Sequence, residues 1–303
     1  MSSEGTQPLG RARPQETPAV AAPLLRRGMG NLATVAAHLV LMTWTVFVAF
    51  PFLWMVVTSF KTDQEIFFSP WRLPSALRWE NFARAWTDAS IGRYFLNSLI
   101  VVTGAMVLTL LCASMTAYAL ARFDFPGNRI LYYCFLAGLM FPVFLALVPL
   151  FFVVRDLHLV GTFQGLIIVY TAYSLPFSIF FLHGFFRSLP GEVAEAAIVD
   201  GASPYRVFFD VMLPMAQPGL VAVGIFNFLG QWNQFILPLI LMPNPDRYVL
   251  SQGLAFLAIQ RGYESDWSAL FAGLTITMLP TLIVYVFFQR RVQQGLTVGA
   301  LKG

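Results

Sequence analysis

Asn227, Gln231 and Gln234 stand at spacings of four and three within an otherwise apolar run, which places three uncharged amides on one face of a helix. Together with Trp232 and Asn233 they form a group suited to a neutral, hydroxyl-rich solute, held by hydrogen bonds and an indole face. Amides surrounded by hydrocarbon are costly unless paired. The same face could therefore serve to bond a neighbouring helix instead, and the sequence leaves both readings open.

Other chemistries find little support. His38, His158 and His183 are far apart and have no Cys, Asp or Glu at ligand spacing, so no metal site is expected. Cys112 and Cys134 lie inside apolar runs and read as small buried hydrophobes. The only lysines, Lys61 and Lys302, do not follow a glycine-rich phosphate loop, so the chain itself should bind no nucleotide in that manner. There is no serine in a nucleophile elbow and no carboxylate pair in an apolar setting. No catalytic residue and no cofactor of its own are expected.

The elements that must position the amides follow from composition. The chain is 57% hydrophobic and only 11% charged, where a soluble domain carries roughly a quarter charged residues. Six apolar runs reach the roughly 20 residues of a spanning helix: Ala33 to Ser59, Tyr94 to Ala121, Ile130 to Val154, Gly165 to Phe186, Pro218 to Met242 and Ser268 to Phe288. The expectation is an all-α polytopic membrane protein, residues 31–303, behind a proline-rich disordered tail over residues 1–30.

An even number of spans puts both termini on one side. Arg26, Arg27, Arg290 and Arg291 flank the first and last spans and assign that side to the cytoplasm. The loop from Phe60 to Arg93 would then be external, with Trp71, Trp79 and Trp86 at the headgroup layer. The net charge of +4 comes from arginines scattered between apolar runs, not from a basic stripe, so nucleic acid is not an expected partner. Within the spans no Asp, Glu, Lys or Arg sits away from the ends, which disfavours coupling to protons or sodium. Ala113, Ala117 and Ala121 form a small-residue stripe for close helix approach.

The loop over residues 187–217 is dense in helix punctuation. Pro190 suits a first turn, Glu192 and Glu195 lie near the positive end, and Gly201 is placed to end the helix in a left-handed conformation. Ser203 and Pro204 start a second short helix, expected to end before Pro214. Val193, Ala196, Ala197 and Val199 give the first helix a small apolar surface that could lie in a groove on another protein.

Glu195, Ala196, Ala197, then Gly201, then Leu213 and Pro214 resemble the EAA motif of binding-protein-dependent ABC importer permeases, with Val211 where that family usually has isoleucine. Thr116 to Gly127, Phe226 to Leu241 and Asn97 to Val102 are similar to segments of the sugar-importer branch that contains the six-span maltose permease subunit. The resemblance covers nearly everything after the first thirty residues.

It implies a type I ABC importer transmembrane-domain fold with a cytoplasmic coupling helix. Glu195, Ala196, Ala197, Asp200, Gly201, Leu213 and Pro214 would then join the chain to an ATPase. It also implies a bacterial cytoplasmic membrane location and several partners: a second permease subunit, two ATP-binding subunits that hold ATP and Mg, an extracytoplasmic solute-binding protein and membrane lipid. Asn244, Asp246, Arg247 and Tyr263 could touch that binding protein, and the tail Leu301 to Gly303 could reach the ATPase. The alternatives are an importer permease for another solute class and a membrane scaffold without transport activity.

Overall fold

The computed structural model describes residues 24–260 and 266–300, with side chains over 34–259 and 266–289. Most of the proposed tail, Tyr263 and the last three residues lie outside that description. The chain divides into two units, Met1–Leu53 and Trp54–Gly303. Every regular element among the described residues is a helix.

The first helix, α1, runs Leu24–Thr58, so it begins inside the segment expected as tail. Leu39, Met42, Val46 and Phe47 on it are exposed apolar residues, as a lipid-facing helix requires. The second unit continues with α2 (Asp63–Phe68), α3 (Glu80–Thr87), α4 (Ile91–Arg122), α5 (Asn128–Met140), α6 (Val143–Asp156) and α7 (Phe163–Ser188). Then come α8 (Gly191–Val199), α9 (Pro204–Met215), α10 (Gln217–Trp232), α11 (Ile236–Leu241), α12 (Leu250–Gln260) and α13 (Trp267–Ala300).

Thr34–Thr58 of α1, α4, α7 and Trp267–Gln289 of α13 are long and apolar enough to cross a bilayer singly. The third and fifth expected spans differ, because both are broken. Between α5 and α6 the chain turns by 106° at Phe141 and Pro142. Pro142 has no N–H to give, and it drives Phe141 out of helical geometry to φ −81 and ψ 117.

The fifth run is α10, whose 16 residues reach only about 24 Å at 1.5 Å each, and then α11 after a break. Pro238 cannot bond the Gln234 carbonyl, which instead accepts from the Ser251 hydroxyl at 2.6 Å. At the same break the Asn233 amide donates back to the Leu229 carbonyl at 2.8 Å, and the Gln234 Oε1 accepts from the Phe235 N–H at 3.1 Å. Side chains thus take over backbone partners where the helix stops.

The α4–α7 pair is the most extensive packing in the chain. Ala113 and Ala117 are fully buried against Ile179, Leu182 and Phe186, so small residues let the two backbones approach. Asn97 on α4 donates to the Tyr248 carbonyl at 2.9 Å, and Ser98 accepts from the Leu250 N–H at 2.7 Å. These two bonds tie the start of α12 to α4. There Gly253 faces Tyr94 so closely that an added Cβ would stand 2.1 Å from the ring.

The short helices α2 and α3 close one end. Arg84 pairs with Asp266 at 2.9 Å, and the Ser268 N–H bonds Asp63 at 2.8 Å. Lys61 is buried, donates to the Pro70 carbonyl at 2.6 Å and lies over the Trp54 ring; burial lowers its pKa. Thr62 and Glu65 form a capping box at the start of α2. Hydrogen bonds from Ser75 and then from Thr62 hold the Glu65 carboxyl down to about 2.

Two outcomes follow. Gly253→Ala should lower stability by about 1–3 kcal/mol, because the whole Tyr94 ring must move. Gly104→Ala meets only the flexible end of Ile167 at 2.9 Å and should cost less; thermal unfolding in detergent compares the two. For Glu65, the folded pKa lies below the ordinary 4.5, so its contribution is full above that value and is lost as pH falls toward 2. The gap in melting temperature between wild type and Glu65→Gln should be open at pH 6 and shrink between pH 4.5 and 2.

Candidate functional site

The break between α5 and α6, the middle of α7 and the end of α10 enclose a cavity of about 570 Å³. Asn227, Gln231 and Gln234 all line it, as their shared helical face requires. The Asn227 Nδ2 donates to the Ser178 Oγ at 2.9 Å, and the Gln231 Nε2 donates to the Ser174 Oγ at 3.0 Å. Ser178 in turn donates to the Ser174 carbonyl at 2.8 Å. Asn227 and Gln231 therefore bond α10 to α7, as the helix-bonding reading expects, and all three amides line the cavity.

Trp232 and Asn233 do not join them. Trp232 is buried on another side of α10, stacked on Phe228, edge-on to Phe95 and donating to the Thr277 carbonyl at 3.2 Å. It anchors α10 to α13 and α4 and does not line the cavity. Asn233 is exposed and ends the helix. Ser174 and Ser178 were not singled out from the sequence. Their spacing of four on α7 matches that of Asn227 and Gln231 on α10, which was a readable signal.

A second candidate feature is the connection from α7 to α10. The α8 helix ends as its sequence predicts: Gly201 has φ +83, its N–H bonds the Ile198 carbonyl at 3.0 Å, and the Ala202 N–H bonds the Ala197 carbonyl at 2.9 Å. These are the paired bonds of a Schellman motif. Asp200 caps the helix at φ −73. Ser203 caps the next helix with Pro204 in its first turn.

Two details of this loop depart from the expectation. Ala197 does not belong to the outward apolar surface; with Ala194 and Ala202 it packs on the core formed by Tyr118, Phe186, Val207 and Phe208. Outward stand Glu192, Val193, Glu195, Ala196, Ile198 and Val199, with Val199 86% exposed. Nor does the second helix end before Pro214. Val207–Met212 widens to a π-helix in which the Leu213 N–H bonds the Phe208 carbonyl, and the helix runs on through Leu213 and Pro214 to Met215. A proline in α-register would clash with the carbonyl four residues back, and the wider turn relieves this.

Arg122, at the C-terminal end of α4, is a further positioning residue that sequence reasoning missed. Its Nη2 donates to the Leu189 carbonyl at 2.6 Å just ahead of α8. A basic residue in a last helical turn is favoured by the dipole, and here it also tethers the loop.

Residues 109–298 match the family described as binding-protein-dependent transport system inner membrane component. The chain belongs to that family, and its fold is that of an ABC importer permease, a multi-pass membrane protein. It is 53% identical over 266 residues to the diacetylchitobiose uptake system permease protein NgcG of Streptomyces coelicolor, covering 88% of each chain. It is 36% identical to the arabinooligosaccharides transport system permease protein AraQ of Halalkalibacterium halodurans, covering 84% of this chain and 91% of that one. A crystal structure of a bacterial ABC transporter involved in import of the acidic polysaccharide alginate matches with a TM-score of 0.77 at 19% identity, over 86% of this chain and 96% of that chain.

The cap at Gly201 can be tested by itself. An added Cβ meets nothing within 4 Å, so Gly201→Ala carries only the left-handed backbone penalty of about 1–2 kcal/mol. Gly201→Asn, which tolerates that conformation, should lose less. Limited proteolysis between α8 and α9 should rank the wild type slowest, Asn next and Ala fastest.

Proposed function

We propose that this chain forms half of the transmembrane pathway of an ATP-driven sugar importer, with N-acetylated sugar dimers as the solute class. Its partners are a second permease subunit, two ATP-binding subunits that hold ATP and Mg, and an extracytoplasmic binding protein that delivers the sugar. Both termini and α8 face the cytoplasm of a bacterial cell, and α2 and α3 face outward. The relative named for diacetylchitobiose uptake supports the solute class, and the arginines flanking the first and last spans support the orientation.

One observation carries the coupling role. α8 is too short to span, is fixed on its inner side by Ala194, Ala197 and Arg122, and presents Glu195, Ile198 and Val199 outward with no partner among the described residues. A rigid short helix with an apolar and acidic outer face is suited to a groove on an ATPase. ATP binding would draw two such helices together, and the bundle would rock to expose the amide-lined cavity to the other side.

Glu195→Lys and Val199→Asp should each abolish co-purification of the ATPase subunit while the permease still inserts in the membrane. Unchanged recovery of the ATPase with both variants would contradict this role. The solute is checked separately in the reconstituted complex, where diacetylchitobiose with its binding protein should stimulate ATP hydrolysis.

A further inference from the structure

Between α1 and α4 the chain exposes six large apolar side chains, Phe67, Phe68, Trp71, Leu73, Leu77 and Trp79, ranging from 59% at Phe67 to 88% at Phe68. A surface of that kind faces either another protein or a membrane. Trp86, the remaining tryptophan of this connection, packs on Phe95 at 5.9 Å and stands apart from the group.

Three ring contacts set the level at which the segment lies. Trp71 meets Trp54 at 5.6 Å, and Trp54 stands four residues, or about 6 Å, inside the Thr58 end of α1. Phe67 meets Trp267, the first residue of the last span, edge to face at 5.7 Å. Trp79 meets Phe60, two residues past α1, at 4.8 Å. Residues 67–79 therefore fold back to the height at which the spans leave the bilayer.

Lys61 holds them there. Its ammonium group lies 4.6 Å from the centre of the Trp54 ring and donates to the Pro70 carbonyl, so the residue just before Trp71 is stapled to the end of α1. Charge points the same way. The acids within residues 61–79 are already held, Asp63 by Ser268 and Glu65 by Thr62 and Ser75. Arg72 and Arg78 are exposed and make no ion pair among the described residues. Exposed tryptophans with arginines between them suit the headgroup layer, where rings lie at the acyl boundary and guanidinium groups reach phosphate.

We infer that residues 67–79 form an interfacial anchor seated in the lipid headgroup layer, with Phe68, Trp71 and Leu73 toward the acyl chains and Arg72 and Arg78 on lipid phosphates. The leaflet is the one on the side proposed above to be external. Only the side rests on that proposal; the depth rests on the ring contacts. The anchor fixes the height of the ends of α1 and α13 in the bilayer, and it leaves this apolar surface to lipid and not to a protein that delivers solute.

The test places a nitroxide label at Phe68→Cys or Leu73→Cys in a chain with Cys112 and Cys134 replaced. Both side chains are largely exposed, at 88% and 75%, so neither change disturbs packing. The full-length chain is reconstituted with its partner subunits in bilayers of phosphatidylethanolamine and phosphatidylglycerol. Relaxation of the label by dissolved oxygen, which concentrates in lipid, is then compared with relaxation by a water-soluble nickel chelate.

At both positions oxygen should be the stronger, at a depth of about 5–10 Å into the boundary between headgroups and acyl chains. A nickel effect equal to or above that of oxygen at either position would place the segment in water, as a docking face for a soluble protein requires. Low access to both reagents at either position would mean that a protein partner covers it. Each of these results overturns the anchor.

Discussion

Hydrocarbon supplies no hydrogen bonds, so a polar side chain on a membrane helix must find its partner on its own backbone, as Ser178 does, or on a neighbouring helix, as an amide does here. The ladder of Asn227 on Ser178 and Gln231 on Ser174 meets that demand between α10 and α7. Two polar residues four apart on each helix fix both register and rotation, since sliding one helix by a residue would unpair both bonds. Each such bond adds only about 0.6 kcal/mol on average. The larger consequence is geometric: α10 is held with its amide face toward the cavity and Trp232 toward α13.

The same two helices lead to the loop at the other feature of interest. Ala113, Ala117 and Tyr118 of α4, Leu182 and Phe186 of α7, Phe208 and Met212 of α9 and Val223 of α10 form one buried cluster. The π-turn under Pro214 and the Schellman motif at Gly201 both sit on it, so α8 is joined to α7 and α10 through packed side chains. Close-packed interiors shift between discrete arrangements more readily than they deform. Under the proposed function, that continuity would let a loop driven by an ATPase reopen a cavity within the membrane.

The features legible in the sequence were those set by local chemistry. Pro190, Gly201, Ser203 and Pro204 each dictate backbone geometry within a few residues, and the structure bears out the helix boundaries they marked. The breaks in the third and fifth spans were less legible, because apolar bulk measures burial and not continuity. Pro142 and Pro238 carried the information, but a proline kinks some spans and breaks others according to which neighbour takes the freed carbonyl, as Ser251 does here. The grouping of Trp232 with the amides overlooked that adjacent residues on a helix point about 100° apart. The inward turn of Ala197 depends on Phe186 and Val207, which belong to other helices, so no pattern within α8 revealed it.

The central claim is that the amide-lined cavity lies on a pathway whose accessible side changes with nucleotide. Gly230 lines that cavity, and an added side chain there meets nothing within 4 Å, so Gly230→Cys in a chain with Cys112 and Cys134 replaced gives a reporter on its wall. In the reconstituted complex a membrane-impermeant thiol reagent should label this cysteine from the cytoplasmic side without ATP and from the opposite side in the ATP-trapped state. Labelling that is the same in both states, or absent from both sides, would contradict the claim.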